Sequence, residues 1–246
     1  MKHLKLIALA FCLIQWSGML GQRSQGKMKN LETFDYKPIH FGFLLSVNTS
    51  DFDITYKPDF TFQDSLLSLT NNPQSGFNLA LLASYNLTKN VRFRFIPGLS
   101  FQDRALDYRF LEPDGTTEIL AKRTEAVYLD FPLMLKLRTN RVGNFAAYAL
   151  IGGKYSIDMQ SQKDVNNQGQ NQIIKLVDTD YSIDAGGGVD FFLPFFKFAI
   201  ELKAATGLKN VLIQENTRYS SPIESLRTRT VIVSFTFEEG ILNLPD

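Results

Sequence analysis

Residues 127–138, VYLDFPLMLKLR, alternate with a period of two. Val127, Leu129, Phe131, Leu133, Leu135 and Leu137 fall on one face, and Tyr128, Asp130, Pro132, Met134, Lys136 and Arg138 on the other. An apolar face backed by one with three charges is the pattern of a strand with lipid on one side and a polar interior on the other. A soluble sandwich strand points its polar face at water, so this segment is ambiguous by itself. The number and spacing of similar segments decide the matter.

Seven more segments alternate in the same way, at residues 39–48, 76–87, 91–101 and on towards 110, 145–159, 181–193, 196–208 and 230–237. Phe41, Phe43, Leu45 and Val47 align on the first, and Phe198, Ile200, Leu202 and Ala204 on the seventh. Pro97-Gly98 interrupts the third, where a bulge or bend is expected. Connections after the second, fourth and sixth are tight: residues 88–90, 139–144 and 194–195. Those after the first, third, fifth and seventh are long and polar: residues 49–75, 112–124, 160–180 and 209–229, with 160–172 read as a mobile tip. Strict alternation of long and short with an even strand count predicts an all-β fold. It is an eight-stranded antiparallel transmembrane β-barrel with short periplasmic turns and long extracellular loops. A soluble lipocalin-like barrel or sandwich is the alternative, but it has no reason to sort its loops by parity. Arg227 and Arg229 share parity with the lipid-facing Val231, which places the start of the last strand above the hydrocarbon.

Composition fits this picture. There are 21 Phe and 9 Tyr against one Trp, an excess that suits strands and membrane interfaces. The formal net charge of +1 gives no basic surplus, and no nucleic-acid partner is expected. Beyond the N-terminus no apolar run approaches the roughly 18 residues of a transmembrane helix, so a membrane-spanning chain must close into a barrel.

Lys2, His3 and Lys5 precede an apolar run over residues 6–14, and small residues follow near Gly21. Residues 1–21 are read as a signal peptide cut before Gln22, residues 22–38 as a flexible periplasmic lead-in, 39–237 as the outer-membrane barrel and 238–246 as a periplasmic tail. The one cysteine, Cys12, lies within the signal sequence, which leaves the mature chain no disulfide and no thiolate.

The inward faces gather a charged set. It comprises Arg92 and Arg94; Asp130, Lys136 and Arg138; Lys154 and Asp158; Asp184 and Asp190; and Lys197, Glu201 and Lys203. An eight-stranded barrel is about wide enough for its own side chains, so these groups are expected to pair across the lumen as a structural ionic network. A proton or solute path is the alternative. Gly152, Gly153, Gly186, Gly187 and Gly188 are expected to relieve crowding where long side chains cross.

No catalytic constellation emerges. His40 is the only histidine after signal cleavage and sits at the periplasmic end of the first strand, a capping or interfacial position. One histidine and no cysteine make a poor metal site. The acidic pairs Glu238/Glu239 and Asp51/Asp53 are read as solvated in tail and loop. The expectation is a protein that is not an enzyme, with no cofactor and no small-molecule substrate.

Three stretches carry a family resemblance: YKPIHFGF at residues 36–43, YLDFPLMLK at 128–136 and DAGGGVD at 184–190. They resemble the PorT group, a branch of the small outer-membrane barrel proteins of Bacteroidetes, and the likeness covers essentially the whole mature chain. The lead-in KPIHFG points to PorT itself. The resemblance implies a non-enzymatic component of the type IX secretion machinery, needed for cargo export. Outer-membrane lipid and other translocon subunits are the implied partners. The alternative is a plain outer-membrane barrel acting as adhesin or small-solute channel.

Overall fold

The computed structural model describes residues 29–57, 66–161, 173–215 and 217–239. Residues 1–21, read above as a signal peptide, most of the polar tip at 160–172 and the residues beyond Glu239 lie outside the described residues. After a short 3-10 helix, Glu32–Tyr36, come β1 (Ile39–Tyr56), β2 (Leu66–Asn86), β3 (Val91–Phe95), β4 (Gly98–Leu111) and β5 (Thr117–Arg138). β6 (Phe145–Asp158), β7 (Thr179–Phe192), β8 (Phe196–Gly207) and β9 (Ile223–Glu239) complete the chain. Every pairing is antiparallel, and β1 pairs with both β2 and β9, so the sheet closes on itself.

β3 and β4 together make one wall strand. Phe95 faces Ala83 and Leu133, while Gly98 faces Ala80 and Asp130, so the register is continuous across the break. The interruption expected at Pro97 is there as a two-residue break, without a bulge. Pro97 lacks the N–H a ladder needs, but its carbonyl still accepts from Leu81 N at 2.9 Å. The wall thus has eight members.

Burial is inverted relative to a soluble protein over the lower part of the wall. Phe41, Phe43, Leu45, Leu81, Phe93 and Leu202 lie exposed on the outside, while Arg94, Lys136 and Glu201 are 0% exposed within. That is the arrangement lipid demands.

Three of the four long loops are shorter than expected, because the wall continues into them. β1 runs on to Tyr56, β2 begins at Leu66, β5 at Thr117 and β9 at Ile223. Here the alternation persists with its polarity reversed, on β2 only after a register shift between Pro73 and Phe77. Phe52, Leu69, Leu106, Tyr108, Phe110 and Leu226 point inward and are buried, and Asp53, Arg109, Arg227 and Arg229 point outward. Arg227 and Arg229 thus stand on β9 above the hydrocarbon, with no register shift between them and Val231. Asp51 and Asp53 belong to β1 and not to a loop; their cross-strand partners are Arg229 and Arg227. β6, β7 and β8, at 14, 14 and 12 residues, do not rise to the 22 of β5, so the outer wall is taller on one side.

Candidate functional site: the charged lumen and its periplasmic seal

All the inward charges named from the sequence lie on the lumen face, and they sort by height. In the periplasmic half, Arg94 Nη1 lies 2.5 Å from Glu201 Oε1, and Lys136 Nζ lies 2.8 Å from Asp190 Oδ1. Lys197 Nζ stands 3.8 Å from Asp190 and 2.5 Å from Glu238. Tyr148 donates to Glu201 at 3.0 Å while the Lys136 ammonium sits 3.5 Å from its ring centroid. Lys203 reaches Glu201 Oε2 at 3.4 Å from above. Glu201 and Asp190 each serve more than one cation, the condition under which a buried charge is tolerated, whereas Glu238 has Lys197 alone.

Glycine makes room for these crossings. A Cβ on Gly188 would stand 2.6 Å from the Tyr148 hydroxyl and 2.3 Å from the Ile200 carbonyl. One on Gly186 would stand 2.9 Å from Lys203 Cγ.

Above this cluster an apolar girdle of Leu44, Leu82, Ile96, Met134 and Leu150 crosses the lumen. A second, looser set of polar groups follows. Lys154 pairs with Asp130 at 3.5 Å, and Ser156 donates to Asp130 at 2.6 Å. Asp184 accepts from Ser182 and Asp158 from the Gln160 backbone; neither makes an ion pair among the described residues. The cavities at this level are about 40 and 10 Å3, room for a water molecule or so. The buried cluster around Phe52, Leu106, Tyr108 and Phe110 then fills the outer end, joined by Ile174, Leu176, Leu212 and Tyr219 from the connecting segments.

Two charged residues absent from the sequence-derived set prove central. Glu238 had been assigned to a solvated tail, yet it is 2% exposed, because β9 extends through Glu239 and Glu238 keeps the lumen parity of Ser234 and Thr236. That parity was readable. Asp35 carried no periodic signal, since it lies outside the strands. Its carboxylate takes Arg92 at 2.7 Å, Arg138 at 2.8 Å and Arg141 at 3.6 Å. Burial opposes its ionisation, but Arg138, Arg92 and Arg141 outweigh that and hold the carboxyl below its ordinary value of 3.8.

Asp35 belongs to a seal. The lead-in expected to be flexible is instead fastened, from Asn30 to Lys37, across the periplasmic mouth. Phe34 is fully buried and stacks on His40 with centroids 3.8 Å apart, then meets Phe192 edge-on at 5.8 Å. Arg141 donates to the carbonyls of Asn30 and Leu31, and Asn86 to that of Lys37. His40 is therefore a buried packing partner of Phe34, more enclosed than a rim histidine. Among the described residues no three His, Cys, Asp or Glu side chains converge as metal ligands.

Solved structures similar to this chain include two outer-membrane proteins. OprG from Pseudomonas aeruginosa is 15% identical over 82% of this chain and 95% of its own, with a TM-score of 0.42. Ail, the attachment invasion locus protein of Yersinia pestis, is 12% identical over 82% of this chain and 99% of its own, at 0.39. No curated protein matches the chain. Residues 22–212 match the family of the outer membrane protein beta-barrel domain. The chain belongs to that family and is an outer-membrane protein that crosses the bilayer with strands.

Proposed function

We propose that this barrel is a non-enzymatic scaffold or assembly subunit of a type IX secretion system, needed for the export of cargo but not itself the conduit. The observation that carries the scaffold role is the filled lumen. Between the Phe34–Asp35 seal and the Phe52–Phe110 cluster, the spaces hold no more than isolated waters. A folded cargo needs another path, and what remains for this subunit is its surfaces. The type IX assignment comes from the PorT-like stretches at residues 36–43, 128–136 and 184–190. In this reading residues 1–21 are removed on export, and the inward charges, with Asp35 and Glu238, are structural. A deletion strain scored for surface delivery of secreted cargo tests the role: retention of cargo that is relieved by the wild-type chain supports it, and normal delivery sinks it.

One observation favours a second reading, a surface adhesin. β1, β2, β4, β5 and β9 carry a packed wall beyond the level where β6, β7 and β8 stop. A binding surface held on rigid strands is better placed than one on loops alone. Loss of cell attachment in a deletion strain whose secretion stays normal would select this reading. Steady single-channel currents in planar bilayers would instead bring back the solute channel.

A further inference from the structure

The lead-in that seals the lumen has a second face. A groove of about 800 Å3 runs along the periplasmic mouth, between residues 29–38 and the turns that join β2 to β3 and β5 to β6. Lys29, Lys37, Lys89 and Arg141 line it against Glu32 and Asp35. Asp35 is taken up by its arginines, and Lys29, Lys37 and Lys89 make no ion pair among the described residues. The groove therefore carries a net positive charge. Tyr36, 87% exposed, stands among these cations.

We propose that this groove docks an acidic, extended segment of a periplasmic protein. The first support is charge: three exposed or half-exposed lysines stand around one uncommitted carboxylate, Glu32, while Arg141 is turned in on Asp35 and the lead-in carbonyls. The second is fastening. A connector leading into β1 needs no fixed shape, yet this one is pinned by Phe34 and Asp35 from within and by Arg141 and Asn86 through its carbonyls. Holding Tyr36 and the lysines in place before binding removes much of the ordering cost a partner would otherwise meet. An exposed tyrosine among cations also has the composition of an interface anchor. Lipid phosphate fits less well. The groove's lining includes Asp35 and Arg141, which belong to the lumen mouth, whereas headgroups ring the outer wall. The scaffold reading supplies only the partner's identity as a translocon subunit; the docking chemistry stands on the groove alone.

The test uses the whole mature protein in detergent micelles, with fluorescein-labelled hexaglutamate as probe and anisotropy as readout. Saturable binding that weakens with salt is expected of the wild type. Lys37→Glu with Lys89→Glu should bind about tenfold more weakly, since two attractions become repulsions. Phe34→Ala, which leaves every groove charge in place but unfastens the lead-in, should lose affinity as well. Heat-modifiable gel mobility checks that each variant has folded, and if Phe34→Ala fails to fold, the lysine pair decides alone. Absent binding, or equal binding by wild type and the lysine variant, overturns the proposal. So does a lysine variant that loses only its preference for phosphatidylglycerol nanodiscs, which would make the surface a lipid contact. Peptide binding as expected with normal cargo delivery would leave the docking site standing and remove the type IX role.

Discussion

Below about Thr49 the wall is apolar outside and ionic within; above it the wall is polar outside and apolar within. β1, β4, β5 and β9 cross this boundary without losing their alternation, and β2 crosses it through a register shift between Pro73 and Phe77. The lower region resembles nothing that water would tolerate, and the upper region is built as a soluble barrel is. Solvent alone accounts for the reversal, because a side chain's preference for in or out depends on what lies outside. Two consequences differ between the regions. The lower one depends on paired charges and is vulnerable to any unmatched deletion; the upper one depends on apolar burial and should weaken in proportion to volume lost.

The largest effect should come from splitting a buried pair. Glu201→Ala strands Arg94 in a 0%-exposed position and is expected to cost about 3–5 kcal/mol, while Arg94→Met with Glu201→Met recovers most of it. Urea unfolding in micelles measures both, and a double variant no better than the single one would break the contrast. In the upper region, Leu106→Ala should cost about 2–5 kcal/mol, with no charge to rescue. Its signature is protease cleavage above the bilayer while heat-modifiable mobility is retained. If the two regions unfold together, they are one cooperative unit and the comparison is only descriptive.

The boundary itself is sharpened by an arginine scan along β1. Leu45→Arg, on the lipid face, should cost about 2–4 kcal/mol, whereas Asp53→Arg, on the same face four repeats of the alternation higher, should cost well under that even though it faces Arg227. A flat profile would misplace the membrane. The smallest effect is at the seal. The folded value of Asp35 lies below its unfolded 3.8, so its contribution is fully present above that pH and fades as pH falls through the folded value. Amide hydrogen exchange of the lead-in, corrected for its intrinsic pH dependence, should therefore rise in wild type only below about pH 4. Asp35→Asn should be more readily cleaved by trypsin near Lys37 than wild type already at neutral pH.

How much of this could be read from residues alone follows the same division. The lower wall was legible, since Val127 to Leu137 or Phe41 to Val47 declare a lipid face by simple alternation. The upper wall was not, because Asp51, Asp53, Arg227 and Arg229 look like loop when polarity is assumed constant along a strand. Allowing the sign to flip would have extended β1 and β9 correctly. Glu238 was within reach by counting on from Thr236. The seal was not, since Phe34 and Asp35 act through positions on β3, β5, β7 and the β5–β6 turn that no local pattern connects.

Closure places the first strand against the last. Along that junction Asp51 opposes Arg229 and Asp53 opposes Arg227. A slip of one residue would turn lumen charges towards the acyl chains, and a slip of two would leave an acid and a base without their opposite numbers. The seam that shuts the barrel therefore admits one register, and any slipped pairing carries a charge or burial penalty.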